Sequence, residues 1–151
     1  FFFKQKTAYE IPKRDWSSDV CSSDLAIFTG MLGGKDLAKA LASLDIFIHT
    51  GMHETFCQSA QEALASGVPV IAPASGGPLD LVIDGVNGFF FEGSSERSIT
   101  QAVNEALASD LESLEFAARE SVLDRDWESI NKKLLQHYRA IISKPLEVHA
   151  A

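Results

Sequence analysis

The sequence predicts an α/β chain built on a parallel sheet, and three observations predict it. Short apolar runs of strand length at 26–29, 46–48, 68–72 and 88–91 alternate with segments whose apolar residues recur at helical spacing. Glycine, proline and Asx-Gly signals punctuate the joins, as in repeated strand–helix–strand units. The run Ile46-Phe47-Ile48 is apolar at every position, which suits a strand covered on both faces.

Each element follows in order. Ala26 to Thr29 reads as a strand and Gly30, Gly33 and Gly34 as a loop. A helix is predicted over 35–44, where Leu37, Leu41 and Leu44 share a face. Asp45 opens the 46–48 strand, and 49–56 is polar and irregular. The Ala-rich stretch 57–66 predicts a helix ended by Gly67. The next strand, 68–72, carries Pro69 near its start, where a ladder donor is least missed. Ser75-Gly76-Gly77-Pro78 is a turn entering a short helix through Val82, with Pro78 at its first position. Asp84-Gly85 and Asn87-Gly88 are turn dipeptides before the strand 88–91, whose Phe89, Phe90 and Phe91 belong to core and sheet edge. Two helical segments follow, one with Ile99, Val103, Ala106 and Leu107 on a face and one over 111–123. An amphipathic helix then runs from Trp127, read as a packing anchor, through Ile130, Leu134, Tyr138, Ile141 and Ile142. Pro145 stops it, leaving 145–151 as a loose tail.

Composition narrows the function. The chain has 151 residues, 46% apolar and 23% charged, so it can bury a single core. Its net charge of −8 argues against a nucleic-acid partner and against a basic membrane-surface helix. No apolar run reaches the roughly 18 residues of a bilayer span. Cys21 and Cys57 form neither a disulfide framework nor a metal-ligand pattern, which fits a reducing compartment. His49 and His53 lack a third ligand at a known spacing, so no metal is expected.

Residues 1–25 have a different texture. Lys4, Lys6, Lys13 and Arg14 balance Glu10, Asp15, Asp19 and Asp24, so the whole net charge lies in 26–151. The segment has no periodicity and no signal-peptide design. Its pieces KQKTAYEI and RDWSSDVCSSDL resemble the translation of a short-read sequencing adapter. It is therefore expected to be artefactual sequence or a disordered extension, with no role for Trp16 or Cys21. That leaves 26–144 as one incomplete domain.

In a parallel sheet with right-handed crossovers, ligands bind beyond the carboxyl ends of the strands. The loops 49–57 and 73–78 follow successive strands and should open on one crevice. Glu54 lies in the first of these loops, and Glu62 sits about one turn into the following helix. Between them the helix starts near Phe56-Cys57-Gln58-Ser59, where free N–H groups favour an anion such as a diphosphate. The two carboxylates suit hydroxyl groups on either side of it. Ser75, Gly76 and Gly77 permit close backbone approach. Two acids at this spacing mean little alone and equally describe a surface acid and a helix-face acid.

The ordered string is more specific. HTGMHETFCQ at 49–58, EALASGVPV at 62–70, SGGP at 75–78 and DGVNG at 84–88 together resemble the donor-binding half of retaining GT-B glycosyltransferases. Within that family, the wording of these motifs is similar to that of actinobacterial GDP-mannose-dependent α-mannosyltransferases. The resemblance covers roughly 26–142 and implies a partial Rossmann-like, doubly wound parallel sheet with C-terminal helices.

By that resemblance, Glu54 holds hydroxyls of the donor sugar and Glu62 the nucleotide ribose. The segment Thr55, Phe56, Cys57 and Gln58 meets the diphosphate through backbone amides, and 74–77, including Ser75, Gly76 and Gly77, line the nucleotide pocket. Cys57 stands where the wider family commonly has Gly. The implied substrate is a nucleotide-diphosphate sugar, GDP-mannose in those mannosyltransferases, with no separate cofactor. The implied acceptor is a lipid or glycan bound by an N-terminal domain outside this chain, as are the Arg and Lys that grip the diphosphate. The fragment alone is then expected to be inactive, and the enzyme cytoplasmic, peripheral at the inner face of the membrane. Two alternatives stay open: another GT-B nucleotide-sugar enzyme such as an epimerase, and a non-catalytic nucleotide-sugar-binding module.

Overall fold

A computed structural model describes residues 27–93 and 95–143. The readings made for 1–25 and 145–151 lie outside those residues. The elements run α1 (Gly34–Ala42), β1 (Phe47–Ile48), α2 (Gln58–Ala65), β2 (Val70–Pro73), a 3₁₀ turn (Gly77–Asp80), β3 (Gly88–Phe91), α3 (Glu96–Ala108), α4 (Leu111–Glu120) and α5 (Trp127–Ile142). The strands form one parallel sheet in the order β1-β2-β3. Phe47 pairs with Val70, and Val70 through Pro73 pair with Gly88 through Phe91.

The sheet is covered on both faces, which is why its strands can be apolar at every position. Phe47, Val70 and Ala72 pack toward Leu41 of α1, Ala60, Ala63 and Leu64 of α2, and Ala118 of α4. Ile71, Phe89 and Phe91 point the other way, into a cluster with Ala102 and Ala106 of α3 and Leu114 of α4. The alternation of Val70, Ile71 and Ala72 between the two clusters is the period-two signature of a strand. The expected α/β parallel architecture is therefore present, with β2 at the centre and wholly buried.

Local chemistry sets several boundaries. Gly67, at φ +77°, follows the last turn of α2, and its N–H and that of Val68 donate to Leu64 and Ala63 carbonyls. Asp126 caps α5 by accepting from the Ser129 N–H at 2.8 Å. That bond, with the Ser129 hydroxyl, holds the Asp126 carboxyl below its usual range.

Two expectations need correction. Ile27 to Thr29 is not a strand. Ile27 and Phe28 stand exposed, and the run is not one of the three strands of the sheet. A short apolar sequence becomes a strand only when a neighbour completes its ladder. Trp127 is not a packing anchor: it is 80% exposed at the first position of α5. The helix forms as predicted, yet none of its residues is buried against the rest of the described chain.

Candidate functional site

Because β1 and β2 are parallel neighbours, the loops leaving their C-terminal ends emerge from the same edge of the sheet. The loop 49–57 lies directly against 74–77. The Gly77 N–H donates to the Glu54 carbonyl at 2.7 Å, and the Ser75 hydroxyl donates to the Met52 carbonyl at 3.2 Å. Gly76 has φ +62°, and the space its Cβ would fill is taken by the Glu54 carbonyl oxygen. A Cβ on Gly77 would stand 2.9 Å from backbone atoms of Thr55 and Phe56. The two glycines thus admit the neighbouring loop, and Gly77's N–H is already engaged there.

Cys57 turns the chain into α2. It is the one non-glycine residue with positive φ among those described, at φ 55° and ψ 56°, and its side chain is buried. That left-handed geometry explains why glycine suits this position in the resembled family. Burial pushes the thiol pKa up; the Ala60 N–H offsets part of this, and the charge of Glu54 raises it further. Cys57 is therefore poorly suited to act as a thiolate nucleophile. Cys57→Gly should lie within about 1 kcal/mol of neutral, since relief of the left-handed strain offsets the lost thiol burial. Cys57→Val should destabilise by about 2–3 kcal/mol, because a branched, larger side chain is forced into both the conformation and the packed site. Urea unfolding of the two variants measures both.

Beyond Cys57, the N–H groups of Phe56, Cys57 and Gln58 find no acceptor among the described residues. They open the N-terminus of α2, whose first turn carries no acid. The two glutamates flank this turn. Glu54 precedes it, close enough for its charge to be felt by the Cys57 thiol, and its carboxylate has no hydrogen bond among the described residues. Glu62 lies half-buried one turn further in and accepts from Gln58 Nε2 at 3.1 Å. That bond turns the Glu62 carboxylate toward the helix start and leaves its second oxygen open. Thr55 and Phe56 are exposed at the rim. The arrangement offers unpaired donors for an anion, with a carboxylate on each side able to accept from hydroxyl groups.

Two features were not read from the sequence. Asn87, seen there only as half of a turn dipeptide, is fully buried and binds three partners. His49, weighed in the sequence as a metal ligand, buries its Nε2 with no hydrogen-bond partner among the described residues. Among the described residues, no three His, Cys, Asp or Glu side chains gather as a metal site would require. No helix among them is long and apolar enough to cross a membrane.

Comparison with known proteins identifies the family and the fold. The sequence profile of the glycosyl transferases group 1 family matches residues 14–121. The chain is 48% identical over 120 residues to a GDP-mannose-dependent alpha-mannosyltransferase of Corynebacterium glutamicum, covering 78% of this chain and 29% of that protein. It is 49% identical over 117 residues to the enzyme of the same name from Mycobacterium tuberculosis, covering 77% and 31%. The chain thus spans about 30% of the length of these relatives. Among solved structures, sucrose-phosphate synthase from Thermosynechococcus elongatus superposes with a TM-score of 0.70 at 29% identity, over 80% of this chain and 31% of that one. HepE of Anabaena, solved with UDP and glucose, superposes with a TM-score of 0.62 at 25% identity, over 70% and 30%. These structural neighbours are GT-B glycosyltransferases, and their fold is the one seen here. With a profile match across most of its length and a parallel sheet of the same architecture, the chain belongs to the group 1 glycosyl transferases.

Proposed function

We infer that this chain is the donor-binding part of a retaining glycosyltransferase that moves mannose from GDP-mannose to an acceptor hydroxyl. One observation carries the reading: the unpaired N–H groups of Phe56, Cys57 and Gln58 open between Glu54 and Glu62 at the carboxyl edge of a parallel sheet. Similarity to the two mannosyltransferases supports the choice of donor.

The diphosphate rests on the start of α2, where fixed donors stabilise the charge that grows as the sugar departs. Glu54 accepts from sugar hydroxyls and orients the ring, while Glu62 accepts from ribose hydroxyls through its open oxygen. Ser75, Gly76 and Gly77 shape the nucleotide side of the cleft. The anomeric carbon–phosphate oxygen bond breaks, and the acceptor oxygen bonds to the same face of that carbon. The acceptor proton passes to the leaving diphosphate. Glu54 forms no covalent bond to the sugar, unlike the nucleophile of retaining glycosidases. The acceptor is a lipid or glycan hydroxyl held by the rest of the enzyme, working at the cytoplasmic face of the membrane.

Calorimetric titration of the complete gene product tests the reading. GDP and GDP-mannose should both bind, with GDP-mannose the tighter. Glu62→Ala should weaken both by about a hundredfold, the loss of one or two charge-assisted hydrogen bonds. Glu54→Ala should weaken GDP-mannose and spare GDP. Absence of binding, or unchanged binding in Glu62→Ala, would overturn the donor-site reading. An inverted anomeric configuration in the product would overturn the retaining mechanism.

A further inference from the structure

His49 follows the last residue of β1, so the strand itself fixes its position. Its N–H donates to the Ile71 carbonyl at 2.8 Å, extending the β1–β2 ladder by one bond. The backbone that carries the imidazole is consequently held by the sheet. Its Nε2 is buried and has no hydrogen-bond partner among the described residues. A buried, unpaired ring nitrogen is unfavourable, and native proteins seldom keep one without a use.

The surroundings indicate the use. A Cβ on Gly51 would stand 2.7 Å from His49 Nε2 and 3.2 Å from Glu54 Cγ. The imidazole and the Glu54 side chain therefore border the same small space, which stays open only because residue 51 has no side chain. Among the described residues, the Glu54 carboxylate has no hydrogen bond and neither has His49 Nε2. A change of Glu54 rotamer or one bridging water brings the two together.

We propose that His49 is a positioning residue: when a nucleotide sugar occupies the cleft, its Nε2–H donates to the Glu54 carboxylate and fixes the rotamer that meets the sugar hydroxyls. The proposal rests on the donor-site reading above, with Glu54 on the sugar. It assigns Gly51 a role as well, that of leaving room for the contact. Sugar recognition then draws on a rigid element of the sheet, through His49, as well as on the loop that carries Glu54.

The test compares GDP-mannose with GDP on the complete gene product, in wild type, His49→Leu, His49→Gln, Glu54→Ala and the His49→Leu/Glu54→Ala double variant. His49→Leu should weaken GDP-mannose about tenfold and leave GDP binding intact, which also shows that the variant is folded. His49→Gln, whose amide can donate from a similar place, should recover most of the loss. In the double variant the His49→Leu penalty should vanish, because the residue acts through Glu54. If His49→Leu weakens both ligands together, or neither, or still weakens GDP-mannose when Glu54 is already Ala, the positioning role is overturned while the donor site stands. If wild type shows no preference for GDP-mannose over GDP, or Glu54→Ala does not reduce it, the donor-site reading fails and the role of His49 falls with it.

Discussion

Gly76→Ala is expected to destabilise the protein by at least about 3 kcal/mol and to abolish donor binding even where it folds. Two effects combine. The backbone at Gly76, φ 62° and ψ −142°, lies in a region that side-chain-bearing residues avoid, a strain on the order of 1–3 kcal/mol. The added Cβ would also collide with the Glu54 carbonyl oxygen, which is backbone and cannot swing away. Relief of that collision requires 49–57 to move off 74–77, which strains the Gly77–Glu54 hydrogen bond and shifts Glu54 itself. Gly85→Ala is the control: φ there is +70°, but nothing lies within 4 Å of the added carbon. It should lower stability by about 1 kcal/mol and leave binding unchanged. Thermal unfolding and GDP titration of the pair separate conformational strain from loop displacement, and similar losses in both would show that the collision does not matter.

Asn87→Ala is expected to lower stability by about 3 kcal/mol. Asn87 Oδ1 accepts from the Ile83 N–H at 2.7 Å, and Nδ2 donates to the Leu81 carbonyl at 3.0 Å and to the Ser121 hydroxyl at 2.9 Å. The side chain thereby ties the segment after the 3₁₀ turn to the chain just beyond α4. Removing it strands a buried donor and a buried acceptor, each worth about 1–3 kcal/mol, and leaves a cavity. Ser121→Ala, which removes one of the three bonds and leaves the Asn87 contacts to 81–83 in place, should lose about 1 kcal/mol. Chemical denaturation of both decides the matter. A loss at Asn87→Ala no larger than at Ser121→Ala would mean that water satisfies the site and the network is not a clamp.

Much of the architecture was legible because strand and helix patterns here agree with their packing. The strand at 88–91 is the predicted one, residue for residue. The last helix begins at Trp127 as expected, and Asp126 caps it. The 26–29 run was misread because its composition matches a strand, whereas strand geometry depends on contacts distant in sequence, which no local pattern supplies. The placement of Glu54 and Glu62 around the start of α2 was readable from the position of the helix in the strand–helix alternation. The unpaired N–H groups between them follow from any helix start. What the string of motifs did not reveal is why its glycines and Cys57 are where they are. Gly76 and Gly77 look like ligand-approach residues in sequence, and the tertiary contact shows that they first admit the backbone of 54–56.

The amino-acid order alone determined the class of fold, the succession of elements and the position of Glu54 and Glu62 on either side of the start of α2, because periodicity and helix-start chemistry act over a few neighbouring residues. Which loop touches which, the burial of Asn87 on three partners and the approach of the His49 and Glu54 side chains to the space beside Gly51 were decided only by the tertiary structure. Those contacts join residues whose closeness is set by strand register and sheet order. A hydrogen bond or a steric gap of that kind exists only once the chain has returned to itself, and no local pattern encodes it.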